Sequence, residues 1–212
     1  MHIPDAFMPI PQGIFYWVVA LVFISLSLRW VRQEMDETKV PLVAVLAAGI
    51  FAIQAFNLPV TMGTSGHLVG GALAAIVLGS PYAAVFILSL VLIVQGVIFG
   101  DGGITTMGAN ILNMGVIGGF VGFYSYKGLM AATRNLNLSA FAAAWFACLV
   151  PALVTAVEMW IAGTFPLDLG LAGMGLYHAA IGVIEGGITV VALHLIASVR
   201  PDIVNVTKGV TV

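Results

Sequence analysis

Charge is what this sequence has least of: 8% of its 212 residues are Asp, Glu, Lys or Arg, against roughly a quarter in an ordinary soluble domain. Apolar residues make up 61% and the mean hydropathy is +1.11. A soluble globular fold is excluded, and an all-α integral membrane protein is expected. Only seven residues are Lys or Arg, too few for a basic stripe that could neutralise a run of phosphates, so nucleic acid is excluded as a partner. The single cysteine, Cys148, excludes an internal disulfide and reads as a small hydrophobe within AAAWFACLVPALV. No GxxxxGK[ST] phosphate-binding loop occurs, which excludes ATP hydrolysis on this chain. The first twelve residues, MHIPDAFMPIPQ, hold three prolines and no Lys or Arg, so they lack the basic start of a secretory signal. Met1 is therefore expected to be the mature N-terminus, because a bulky second residue such as His2 blocks removal of the initiator methionine.

What is present is apolar helix. Each span takes about 20 residues plus a short loop, so the length allows about seven. Runs bounded by charge, Pro or Gly place them at 13–31, 39–56, 66–79, 81–99, 108–126, 138–162 and 171–199. The expected organisation is one membrane domain over 1–212: a leader at 1–12, a seven-helix bundle at 13–199 and a cytoplasmic tail at 200–212. The third helix is short and is approached through NLPVTMGTSG, the kind of irregular backbone that membrane proteins keep only where protein or a cavity surrounds it. Cations set the orientation, because Lys and Arg collect on the cytoplasmic side. With the N-terminus outside, Arg29, Arg32, Lys39, Lys127, Arg134, Arg200 and Lys208 all fall inside. Asp5, Asp101 and Asp168 fall outside, and the C-terminus is cytoplasmic.

Polar side chains at membrane depth are costly and mark functional groups or helix-bonding groups. On this topology Gln54, Asn57, Ser65, His67, Gln95, Asn110, Asn113, Glu158 and His178 belong to the outer half, with Glu185 and His194 deeper. A polar outer half over an apolar inner half suits capture from outside rather than a continuous channel. Each group also has a plain structural reading: Gln54, Gln95, Asn110 and Asn113 as helix-to-helix hydrogen-bond partners, Glu158 and His194 as interfacial groups, and His178 with Glu185 as a structural pair or a proton relay.

The sharpest feature is Met-His at the extreme N-terminus, together with a histidine in the glycine-rich stretch Gly63-Thr64-Ser65-Gly66-His67. A free Met1 α-amine, the deprotonated His2 amide nitrogen and the His2 Nδ1 can close fused five- and six-membered rings around one ion. The His67 imidazole would complete a square of nitrogen donors. That geometry favours nickel(II) or copper(II), with cobalt(II) if it adapts, over tetrahedral zinc. The leader itself is stiffened by Pro4, Pro9 and Pro11, and Ile3, Ala6, Phe7, Met8 and Ile10 make it apolar enough to insert into the bundle.

Three segments in order, MHIPDA, GTSGHLVGG and FGDGGITTMGANILNM, resemble the hallmark segments of the CbiM/NikM family, the substrate-binding membrane subunits of energy-coupling-factor cobalt and nickel transporters. The resemblance runs through nearly the whole chain. It implies a seven-helix substrate-binding (S) component in a prokaryotic cell membrane, with nickel or cobalt as cargo and no catalytic cofactor. Carried over by position, the metal would be held by Met1, His2 and His67. Asp101, Asn110 and Asn113 fall in the matching third segment and are candidate supports for the ligands, since a ligating histidine usually passes its other N–H to an oxygen. The implied partners are a transmembrane coupling subunit, two ATPase subunits and often a small accessory membrane protein. Ala44 and Ala48 fit the small-residue face that meets the coupling subunit, and packing within the chain would explain them as well. The family usually begins MHIPDG, whereas this chain has Ala6.

Two rival readings remain. Gly63-Thr64-Ser65-Gly66 with His178 resembles in outline the serine and base of a rhomboid-like intramembrane protease. Alternatively, His178 and Glu185 would couple protons to a self-sufficient secondary carrier.

Overall fold

A computed structural model describes residues 1–60 and 65–200 of the chain. Gly63, Thr64 and the expected tail beyond Arg200, Lys208 included, lie outside the described residues. Seven helices run in chain order among the described residues: α1 (Ile10–Glu34), α2 (Val40–Gln54), α3 (Gly71–Leu78), α4 (Pro81–Ile98), α5 (Met107–Thr133), α6 (Leu136–Ile161) and α7 (Leu167–Val199). Two short antiparallel strands, β1 (Leu58–Pro59) and β2 (Ser65–Gly66), fold the segment between α2 and α3 back on itself, with Leu58 opposite Gly66 and Pro59 opposite Ser65.

Local chemistry sets the boundaries. Ser80 caps α4 by accepting from the Tyr82 N–H at 3.2 Å, and Pro81 follows at a position where its missing N–H costs nothing. Asn135 caps α6 by accepting from the Leu138 N–H at 3.0 Å. Gly79 stops α3 with a φ of +71°, a left-handed angle that glycine adopts freely. Inside α5, the stretch Ile111–Ile117 is wound as a π-helix, which turns Asn113 out of the ordinary helical register.

Helix α3 is the hub. All eight of its residues are buried, with α4, α5, α6 and α7 packed around it. Glycines let these helices approach closely: a Cβ on Gly122 would stand 2.7 Å from the Ala72 Cβ, and one on Gly119 would stand 2.6 Å from the Ala84 Cβ. The outer faces are apolar instead. Ile14, Phe15, Val18 and Leu21 of α1 and Val183, Ile184, Val191 and Leu195 of α7 are exposed, which a lipid-facing surface requires and a water-facing one forbids.

Five helices, α1, α4, α5, α6 and α7, are long and apolar enough to cross a membrane. Helix α7 has 33 residues and rises about 50 Å, well beyond a hydrocarbon core of about 30 Å. Helix α2 is apolar but has 15 residues, and α3 has eight. The third helix is thus shorter than the 66–79 read from sequence. Residues 67–70 are not helical, because the Val69 and Gly70 N–H groups are taken by the Glu185 carboxylate of α7 at 2.8 and 2.9 Å.

Candidate metal-binding site

The leader does not hang free; it runs into the bundle, and its first three residues are buried. The glycine-rich segment after α4 is built to receive it. Ile3 donates its N–H to Asn110 Oδ1 at 2.8 Å, and its carbonyl accepts from Asn110 Nδ2 at 3.2 Å, the Gly103 N–H at 3.0 Å and Thr106 Oγ1 at 2.5 Å. Asp5 accepts from the Ile104 N–H at 3.1 Å, the Thr105 N–H at 2.8 Å and Thr105 Oγ1 at 2.5 Å. The Thr105 hydroxyl and these N–H groups hold the Asp5 carboxyl below its ordinary pKa. Gly103 has to be glycine, since a Cβ there would collide with the Asp5 backbone and carboxylate. Farther along, the Phe7 carbonyl accepts from Thr164 Oγ1 at 2.5 Å.

This clamp delivers Met1 and His2 to the loop that carries His67. The Met1 amine donates to the Ser65 carbonyl and lies 3.5 Å from Ser65 Oγ. The His2 and His67 rings sit 4.4 Å apart between centroids, tilted by 36°. Met1, His2 and His67 are 0%, 3% and 1% exposed. Burial lowers the pKa of the Met1 amine to about 5, and burial also lowers that of His2. At neutral pH both groups then hold unprotonated nitrogens, the state a metal ion requires.

Each ring is oriented by an oxygen. His67 donates Nδ1–H to the Leu68 carbonyl at 2.8 Å, which fixes the tautomer and leaves the lone pair on Nε2. His2 Nδ1 faces Asp101 Oδ1 at 2.8 Å, and Asp101 Oδ2 accepts from Asn57 Nδ2 at 3.2 Å. Burial pushes the Asp101 pKa up, but the bonds from His2 and Asn57 outweigh it and the net shift is downward. The Nε2 atoms of His2, His67 and His178 are all buried without a hydrogen-bond partner among the described residues. Leaving a buried polar atom unpaired costs about 1–3 kcal/mol. Nitrogen lone pairs held this way suit the donor set of a transition-metal ion.

The expected residues therefore divide. Met1, His2, His67 and Asp101 are brought together. Asn110 touches the leader backbone at Ile3 rather than a histidine. Asn113 is elsewhere: the π-turn directs its Nδ2 to Glu158 Oε2 at 2.5 Å and Thr155 Oγ1 at 3.1 Å. Glu158 is correspondingly buried rather than interfacial. His178 and Glu185 do not pair with each other among the described residues. His178 Nδ1 donates to the Met174 carbonyl at 2.8 Å, while Glu185 holds the Val69 and Gly70 backbone. Ser65 Oγ faces the Met1 amine, and His178 Nε2 makes no hydrogen bond among the described residues, so a serine–histidine catalytic pair is not formed there. Gln54, read from sequence as a hydrogen-bonding group, donates to the Val69 carbonyl at 2.7 Å. One support escaped the sequence reading: Thr106, which anchors Ile3. Thr106 sits between the glycines and Asn110, and that context was its only signal.

Comparison with known proteins points the same way. Residues 2–203 match the family described as cobalt uptake substrate-specific transmembrane region, CbiM. A cobalt transport protein CbiM of Carboxydothermus hydrogenoformans is 33% identical, the alignment covering 99% of this chain and 88% of that protein. A fused nickel transport protein NikMN of Rhodobacter capsulatus is 34% identical over 85% of this chain and 57% of its own length. A crystal structure of a truncated transition metal transporter superposes with a TM-score of 0.88 at 30% identity, covering 93% of this chain and 99% of that one.

Proposed function

From the premise that this chain belongs to the cobalt uptake substrate-specific transmembrane region family, a family of multi-pass membrane transport proteins, we propose that it captures nickel(II) or cobalt(II) at the outer face of the membrane. It does so as the substrate-binding component of an energy-coupling-factor importer. The observation that carries this reading is the docking of the leader, which buries the Met1 amine, His2 and the His67 ring together.

Met1 contributes its amine, His2 its amide nitrogen and Nδ1, and His67 its Nε2. The Ser65 carbonyl and the Asp101 carboxylate hold the amine and the imidazole until the ion replaces them. A half-turn of the His2 ring about Cβ–Cγ takes Nδ1 off Asp101 and carries Nε2 into the place next to it, so the carboxylate keeps an N–H within reach. Four nitrogens in a plane favour nickel(II). The Asn110 and Asp5 contacts hold the leader in register for this chelate.

In this reading α2 and α3 complete seven crossings, with the N-terminus outside and the C-terminus cytoplasmic. ATP is hydrolysed by two separate ATPase subunits acting through a transmembrane coupling subunit, with a small accessory membrane protein alongside. Ala44 and Ala48 are exposed on α2, and a Cβ on the adjacent Gly49 would meet nothing within 4 Å. This small-residue face is free of packing within the chain and supports contact with the coupling subunit.

The test is a nickel(II) titration, followed by visible absorption, of the chain beginning at Met1 and of a form with one residue added before it. The addition converts the amine to an amide and shifts His2 to the third position without touching a helix. The proposal expects one ion bound tightly by the first form and a loss of binding by the second. Equal binding by both would remove the chelate.

A further inference from the structure

Helix α2 packs chiefly on α4, yet its outer end is tied to all three residues of the proposed chelate. Gln54, 0% exposed, donates Nε2–H to the Val69 carbonyl at 2.7 Å, two residues beyond His67. Ile50, one turn earlier, lies so close to Gly70 that a Cβ there would stand 2.7 Å from Ile50 Cγ1. Asn57 donates to Asp101 Oδ2 at 3.2 Å, and the other oxygen of that carboxylate faces His2 Nδ1 at 2.8 Å. The Phe51 ring lies 5.2 Å from that of Phe99, which leads into the same loop. Strand β1 follows Asn57 directly and pairs with β2, whose Ser65 carbonyl takes the Met1 amine. Away from the site α2 is bare: Ala44 and Ala48 are exposed, and a Cβ on Gly49 would meet nothing within 4 Å. A helix packed chiefly on one neighbour is displaced at lower cost than one packed among four, as α3 is.

We infer that Gln54 and Asn57 are positioning residues through which α2 sets, and is set by, occupation of the metal site. The inference rests on the metal-capture reading above and leaves its donor atoms unchanged. Gln54 holds the Val69 carbonyl while Glu185 holds the Val69 N–H, so the turn that presents His67 is gripped between α2 and α7. Asn57 fixes the rotation of the Asp101 carboxylate, which sets the His2 ring in turn. On loading, the amine leaves the Ser65 carbonyl and the His2 ring turns against Asp101, so the contacts that change are the ones joined to α2. Coupling of this kind is reciprocal: if the ion shifts α2, a partner that shifts α2 changes the hold on the ion by the same factor. Contact of the proposed coupling subunit at Ala44 and Ala48 then becomes a means of loosening His2 and His67 together.

The experiment uses the full chain beginning at Met1, purified in detergent, with nitroxide labels on Ala52→Cys of α2 and Leu176→Cys of α7, both exposed positions outside the contacts above. Native Cys148, 0% exposed, stays in place. Pulsed dipolar spectroscopy reads the distance between the labels with and without one equivalent of nickel(II). Expected is a shift of that distance on loading, lost in Gln54→Leu and reduced in Asn57→Ala, with nickel affinity about 10- to 100-fold weaker in each, the range for groups that support a ligand. A merely structural role would lower the melting temperature and leave the shift in place. Asn57→Ala, at an exposed residue, carries the test if Gln54→Leu does not fold. A wild-type chain that binds one nickel with the same label distance as the ion-free chain would overturn the inference, as would wild-type nickel affinity in the variants that fold. Either result leaves the N-terminal chelate standing. If the chain with one residue added before Met1 binds nickel as tightly as the native form, the chelate reading falls, and the roles of Gln54 and Asn57 fall with it.

Discussion

Ile3 and Asn110 are joined like a pair of residues in adjacent strands. The Ile3 N–H reaches Asn110 Oδ1 at 2.8 Å, and the Asn110 amide returns a hydrogen bond to the Ile3 carbonyl at 3.2 Å. A side-chain amide thus stands in for a backbone partner and holds the leader two residues from its first atom. Asn110→Ala leaves the buried Ile3 N–H unpaired, at a cost of about 1–3 kcal/mol. Nickel affinity is expected to fall roughly 10- to 100-fold, the usual consequence of losing a ligand's support. Asn110→Asp should not restore it, because the second carboxylate oxygen would oppose the Ile3 carbonyl. Titration of both variants checks this, and unchanged affinity in Asn110→Ala would remove Asn110 from the site.

Ala6 carries a φ of +69°, a left-handed angle in an exposed turn of the leader. An L side chain pays roughly 1–2 kcal/mol for that conformation, and glycine avoids it. Ala6→Gly should therefore raise the melting temperature of the detergent-solubilised protein slightly and leave the nickel spectrum unchanged, since no donor moves. A lower melting temperature would show that the turn is not strained.

Burial sets the pH behaviour of the Met1 amine. Its pKa is about 5 in the folded chain, against a free α-amine near 8. The unfolded chain therefore binds more protons between about pH 5 and pH 8, and stability of the ion-free protein should rise with pH across that window and level off above it. Metal binding follows from the same number. At pH 7 the amine has no proton to give up, so nickel should release about one proton, from the His2 amide, rather than two. Calorimetry in buffers of different ionisation enthalpy measures that count, and a value near two would mean the amine is protonated in the folded chain.

Glu185 holds two backbone N–H groups just ahead of α3. Glu185→Gln turns one acceptor into a donor facing a donor, and Glu185→Ala leaves both N–H groups bare at about 1–3 kcal/mol each. Both variants should melt lower. Nickel affinity should drop as well, because His67 lies two residues before Val69. If affinity is intact while the melting temperature falls, the loop keeps its shape without the carboxylate.

The apolar runs in the sequence located the helices to within a few residues except at two ends: α5 continues to Thr133, seven residues past the 126 read from sequence, and α3 begins at Gly71 rather than 66, where a side chain from α7 sets the start. Hydrophobicity alone cannot show that: Leu68, Val69 and Gly70 look helical until Glu185 and Gln54 take their backbone groups. Met1, His2 and His67 could be proposed as donors from sequence because their chemistry is local and their motifs specific, and the fold brings the three together. Asn113 bonds from helix to helix, one of its two readings, rather than supporting a histidine, and the π-turn of Ile111–Ile117 that aims it at Glu158 leaves no mark in composition.

On the proposed chelate, the leader that supplies donors also seals them, since solvent reaches almost none of Met1 or His2. An ion would then enter or leave as the Ile3, Asp5 and Phe7 contacts open. Exchange would be a local unfolding event, with a rate set by that opening rather than by the strength of any metal–nitrogen bond. Residence time and selectivity would thereby be uncoupled: substitutions along residues 3–7 would change how fast the cargo turns over while the donor atoms keep choosing the same ion.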